Sequence, residues 1–161
     1  MSITGDISVS TWVKTPSTWP GSESYSQIIS RGDSGGTGWN LYLYRPDMAA
    51  NRKFSFIVKI GTSSWGNEWA LDTEVAQLDT WYHLVGVREG SNIKIYVNGE
   101  LRHTDAGSSG LINYGSSPNN YIGKKTSSLA ADHWNGKIDE VRIYDRALSA
   151  SEISQLYRMG K

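Results

Sequence analysis

The 161-residue chain predicts an all-β fold with one short C-terminal helix. Apolar and polar residues alternate with period two along most of its length, the pattern of half-buried antiparallel strands. Glycine is abundant, at 17 residues, and gathers with Asn and Ser in the gaps between alternating stretches, where tight turns need it. Only the last segment changes to helical spacing, directly behind a capping signal.

Taken in order, Ile7 to Val13 alternates first, then Trp39 to Tyr44 and Lys53 to Val58. Trp81 to Val87, Ile93 to Val97 and Lys137 to Tyr144 follow. Glu89-Gly90-Ser91-Asn92 and Asn98-Gly99 flank Ile93 to Val97, and Asn and Gly accept positive φ, so that strand is expected in hairpins on both sides. The Gly- and Ser-rich stretches 32–38 and 107–117 read as surface loops of one domain covering 1–161, since apolar strands resume after each. Ser149-Ala150-Ser151-Glu152 has capping-box spacing, in which Ser and Glu each satisfy an orphan backbone N–H. Ile153, Leu156 and Tyr157 then share a helix face, and Gly160 marks its end.

A chain of this length buries about 70 % of the surface it exposes when unfolded, so it needs no covalent staple. Cysteine is absent, which excludes disulfides, thiolate metal sites, iron–sulfur centres and a cysteine nucleophile. The 16 Lys+Arg balance 16 Asp+Glu with no block of one sign, so no nucleic-acid partner is expected. No apolar run reaches membrane-spanning length, so no membrane insertion is expected. Met1-Ser2-Ile3-Thr4 has neither a basic n-region nor an apolar h-region, so no signal peptide is expected here and the chain is read as a piece of a longer precursor. The 7 Trp and 9 Tyr against 2 Phe favour surfaces that are packed and wet at once.

Several short motifs fail their context. Gly32-Asp33-Ser34-Gly35-Gly36 spells a serine-protease nucleophile signature, but His83, His103 and His133 all follow it, whereas that chemistry places its His and Asp ahead of the Ser. Arg31-Gly32-Asp33 spells an integrin tripeptide and reads as a strand end before a turn. Asp6-Ile7-Ser8-Val9-Ser10 fits a metal motif of doubly wound α/β domains, a class with far more helix than this chain offers. His83 lies within an alternating stretch and reads as a hydrogen-bonded strand residue. No glycosidase carboxylate order is present, and Asp72-Thr73-Glu74 is too close to a loop to replace it.

Trp134 to Ile153, centred on Gly136-Lys137-Ile138-Asp139-Glu140-Val141-Arg142-Ile143-Tyr144 and running into Leu148-Ser149, closely resembles the closing strand and helix of LamG-like jelly-roll domains. Asp6 to Lys14, Trp81 to Val87 and Ile93 to Leu101 fit the same family in order. The resemblance therefore spans nearly the whole chain. It implies a two-sheet antiparallel jelly-roll sandwich of the concanavalin A-like lectin/glucanase superfamily, whose members bind glycans, mediate adhesion or, in a minority, act as enzymes. Such domains usually open with a further strand of the type F-D-G-x-D-D-Y ahead of the Asp6 segment, so a short or otherwise filled sheet edge is expected.

The resemblance also implies a concave outer sheet face. If Leu41 and Leu43 are core, Tyr42 and Tyr44 point outward, and Tyr96 likewise opposes Ile93, Ile95 and Val97. Trp65 and Trp69 flank Gly66 and Asn67 in an expected loop, where indoles stack on sugar C–H groups and Asn bonds hydroxyls. The alternative is that both indoles fold back as a lid. Trp19, between Thr18 and Pro20, is a weaker second site. The resemblance places a structural calcium near Asp139, with Asp6 and Asp33 as possible partners.

The expected function is a non-catalytic carbohydrate-binding or adhesion module, extracellular or on a cell surface as part of a larger protein, with a poly- or oligosaccharide partner. The alternative is an interaction or spacer domain that binds a protein or a second copy of itself. A hydrolase or lyase of the same fold is the third reading.

Overall fold

Where alternation meets a partner strand, one side of each strand becomes core and the other a free face. The computed structural model describes residues 3–19, 25–32, 37–44, 51–61, 68–115, 119–124 and 133–160. In chain order its elements are β1 (Ile7–Lys14), β2 (Tyr25–Arg31), β3 (Trp39–Tyr44), β4 (Lys53–Val58), β5 (Trp69–Leu71), β6 (Trp81–Glu89) and β7 (Asn92–Val97). β8 (Glu100–Ala106), β9 (Asn120–Ile122), β10 (Lys137–Tyr144) and α1 (Ala150–Met159) complete it. The strands pair antiparallel into two five-stranded sheets, in the orders β10-β1-β6-β7-β8 and β5-β4-β3-β2-β9. This is the jelly-roll sandwich that the sequence predicts.

The two inner faces meet through Ile7, Val9, Leu84, Ile93 and Ile95 on one side and Leu41, Leu43, Phe54, Phe56 and Val58 on the other, all buried. Each of these large side chains contributes roughly 1.5–3 kcal/mol by leaving water. Gly86 sits where Phe56 crosses β6: a Cβ there would lie 2.3 Å from two ring carbons. Asn98 and Gly99, with φ of 54° and 83°, form the two-residue turn between paired Val97 and Glu100, the positive-φ geometry of a hairpin whose twist matches its strands.

The first sheet is also covered on its outer side. Val85, Val87 and Tyr96 pack there against Leu148 and Ile153, so α1 lies over β6 and β7. Ser8 ties the approach to the helix down, donating to Arg146 O and accepting from Leu148 N, both at 2.9 Å. The capping box forms as predicted: Ser149 Oγ accepts from Glu152 N, and the Glu152 carboxylate accepts from Ser149 N at 2.8 Å. Arg146 on that carboxylate, with the Ser149 bonds, holds it down to about 2.

Four strands escape the alternation rule. In β2 the register shifts between Gln27 and Ile29, so Ile28 and Ile29 are both buried and the period is broken. β8 is a polar edge strand, and β5 and β9 have only three residues each.

Candidate functional site

The outer side of the second sheet carries an aromatic face. On β3 the inward set is Trp39, Leu41 and Leu43, all buried, which turns Tyr42 and Tyr44 outward. β2 places Tyr25 opposite Tyr44 and Gln27 opposite Tyr42, and Trp69 joins them from β5. Tyr25 and Tyr44 stack at 5.4 Å between centroids, Tyr25 and Tyr42 lie 5.7 Å apart, and Tyr44 meets Trp69 edge-on at 5.3 Å. These are separations at which aromatic pairs attract beyond simple burial.

Within this face the rings play different parts. Tyr42 is 4 % exposed and lies beneath Tyr25 and Tyr44. Its hydroxyl bonds Ser55, and burial pushes the phenol above its ordinary range. Tyr25 is 43 % exposed, and Tyr44 and Trp69 are half-buried, so these three present ring surface to solvent. Beside Tyr42, the Gln27 side chain is buried and its Oε1 has no donor among the described residues. Lys53, opposite Tyr44, directs its ammonium to Thr73 O at 3.2 Å. Of the strand positions paired around the rings, Lys53 alone is charged and none is a carboxylate, so a ligand meets mainly ring faces and neutral polar groups.

The remaining predicted positions divide. Trp69 is on a strand rather than in a loop, because it pairs with Ile57 across β4. Trp65, Asn67 and Asp33 lie outside the described residues. Tyr96 does point outward, but on the other sheet, where α1 covers it to 5 % exposure; it cannot line a groove with Tyr42 and Tyr44. Trp19 packs on the core edge beneath the Arg52 guanidinium, 4.5 Å from its ring centroid.

Of the residues expected near a calcium, Asp6 and Asp139 stand apart. Asp6 precedes β1 and accepts from Gly90 N at 2.8 Å, whereas Asp139 is paired with Trp12 and accepts from Glu140 N at 2.8 Å. Six residues of extended chain between those levels span about 20 Å, so a single ion cannot bind both. Among the described residues no group of three His, Asp or Glu is placed to hold a metal. Asp72 is likewise structural: it accepts from Glu74 N at 3.1 Å, and burial raises its carboxyl above the usual range.

Tyr25 was not legible as part of the site, because the β2 bulge hides its strand. The pairing of Tyr25 with the Tyr42/Tyr44 strand is the signal that a register argument would have needed.

Two antiparallel sheets with an open aromatic face define a lectin-like jelly-roll domain. The chain belongs to the concanavalin A-like lectin/glucanases superfamily, whose laminin-G family matches residues 1–154. It is 32 % identical over 135 residues to the adhesion G-protein coupled receptor D1 of Homo sapiens; the match takes in 81 % of this chain but only 13 % of that receptor. Among solved structures it is similar to the heptameric SAP-like pentraxin of Limulus polyphemus, at a TM-score of 0.69 and 16 % identity over 96 % of this chain and 70 % of the pentraxin. It is also similar to domain 4 of AbnA, a GH43 extracellular arabinanase from Geobacillus stearothermophilus, in complex with arabinotriose. There the TM-score is 0.62 and the identity 20 %, over 96 % of this chain and 67 % of that one. At such identities the likeness to these structures is one of fold. No helix among the described residues is long and apolar enough to cross a membrane.

Proposed function

We propose that this domain is a non-catalytic glycan-binding or adhesion module of a larger extracellular or surface protein. The observation that carries the reading is the aromatic face of Tyr25, Tyr44 and Trp69 with the unpartnered Gln27 Oε1 at its base. Sugar rings stack their C–H faces on such aromatics, and a hydroxyl is the donor an amide oxygen takes. The strand positions around the rings, Gln27, Asn40, Lys53, Ser55 and Leu71, offer no carboxylate pair for acid–base hydrolysis. The likeness to an adhesion receptor and to an arabinanase domain solved with arabinotriose supports the same reading.

The test is a glycan array probed with the multimerised domain, in calcium and again in chelator, with a Tyr44→Ala/Trp69→Ala variant beside it. Binding to one glycan class, lost in the variant, is expected; affinity per domain should be micromolar to millimolar, on the order of −8 to −4 kcal/mol. Silence of the wild type, or equal binding by the variant, refutes the assignment. Dissociation of a wild-type oligomer by the same substitutions would instead make the face a protein interface.

A further inference from the structure

The opposite side of the sandwich holds a second groove, of about 600 Å³, between the end of α1 and the outer surface of β1, β6 and β10. One wall is a built aromatic stack: Trp12 and Tyr157 lie 5.7 Å apart and nearly parallel, over the buried His83 ring. Gly160 allows the end of α1 to close on this stack, since a Cβ there would sit 2.3 Å from the Trp12 indole nitrogen. Trp81, 40 % exposed, also lines the groove, and no other ring among the described residues packs against it.

The polar lining depends on a bulge. Thr11 lies between the levels of Ser10, which pairs with Arg142, and Trp12, which pairs with Asp139, so β10 carries an extra residue there. Glu140 takes up the irregularity with φ of 52°, a conformation few non-glycine residues adopt. In a regular strand Asp139 would face away from Glu140 and Arg142. Here all three line the same groove.

Their hydrogen-bonding capacities are complementary. Asp139 spends one carboxylate oxygen on Glu140 N, and its other oxygen has no partner among the described residues. Asn98 accepts from His83 N through Oδ1 at 3.0 Å, which fixes its amide and leaves Nδ2 as a donor. Arg142 is held by Glu140 and keeps guanidinium N–H groups to spare.

We propose that this groove is a second saccharide site, independent of the aromatic face on the other sheet. A ring stacks on Trp81, adjacent hydroxyls donate to Asp139 and Glu140, and they accept from Asn98 and Arg142. Hydroxyls do both, so a sugar uses the whole lining, whereas a cationic peptide would meet Arg142 as a repulsive charge and leave the donors unused. With sheets about 10 Å apart between the two sites, one short glycan cannot span them, and the domain would cross-link two chains.

The test follows the indole N–H signals by NMR during titration with methyl galactoside, methyl glucoside, N-acetylneuraminic acid and arabinotriose, each to about 50 mM, enough to populate a millimolar site. With at least one of them, the Trp12 and Trp81 signals should shift saturably, in the wild type and equally in Tyr44→Ala/Trp69→Ala. Asp139→Asn and Glu140→Gln, which keep side-chain size, should each weaken that binding about tenfold, with thermal unfolding as the check on folding. Three results overturn the proposal: no shift with any of the four sugars, shifts that vanish in Tyr44→Ala/Trp69→Ala, or tighter binding of a tetra-arginine peptide than of every sugar.

Discussion

Glu140 gives the sharpest prediction, because its backbone and its side chain pull in opposite directions. At φ of 52° a Cβ crowds the carbonyl, at about 1–2 kcal/mol. Replacing a side chain by hydrogen removes that cost but adds about 0.5–1 kcal/mol of freedom to the unfolded chain. Glycine at position 140 should therefore be more stable than alanine by about 0.5–1 kcal/mol, the reverse of their order inside an ordinary strand. Either substitution also loses the Glu140–Arg142 pair, whose side chains are 50 % and 40 % exposed, a loss of less than about 1 kcal/mol. Urea unfolding of Glu140→Gly and Glu140→Ala reads the difference directly. At a slope near 2 kcal/mol/M the glycine midpoint should lie roughly 0.3–0.5 M above the alanine one. A midpoint below that of alanine would show that the bulge is not strained at this residue. Groove binding should fall in both variants, since both lose the carboxylate.

Three further outcomes are expected. Gly86→Ala drives a Cβ to 2.3 Å from the Phe56 ring and should destabilise by about 1–3 kcal/mol; Phe56→Leu in the same chain should return part of it, read as a coupling energy in a double-mutant cycle. His83 is held down to about 4 by burial and then by Arg142. Its folded value lies below its unfolded one, so its contribution is fully present above pH 6.5 and is lost as the pH falls toward 4, by up to about 3 kcal/mol; a His83→Gln variant should show a flatter stability profile over that window. Ser8→Ala leaves Arg146 O and Leu148 N without their buried partner and should cost about 2 kcal/mol, measurable as a lower urea midpoint.

The residues that alternate cleanly fold as read. Ile7 to Val13, Trp39 to Tyr44 and Lys53 to Val58 are strands, and the Leu41/Leu43 parity correctly turns Tyr42 and Tyr44 outward. Parity does not say what lies above a face. Tyr96 has the same parity as those tyrosines relative to its own strand, yet α1 covers it; the Ile153/Leu156 stripe of that helix was the sign that some outer face had to receive it. Nor does sequence distance give spatial distance. Asp6 and Asp139 both pair off within the β1 neighbourhood, but which end of β1 each occupies is set by strand register, and that depends on the far side of the chain.

Both proposed sites contain a break in alternation, and the physical connection is direct. A regular strand sends every second side chain to each face, so neighbouring residues cannot act on one ligand. A bulge resets that count. In β2 it lets Tyr25 and Gln27 stand with Tyr44 and Tyr42 while Ile28 and Ile29 both enter the core. In β10 it brings Asp139, Glu140 and Arg142 to one groove. In β2 the same extra residue also erases the period by which a strand is recognised. Sequence patterning is consequently weak at Tyr25 and Gln27, and in the two proposed sites the irregular pairs Gln27/Ile29 and Ser10/Trp12 mark where substitutions should alter binding without removing either sheet.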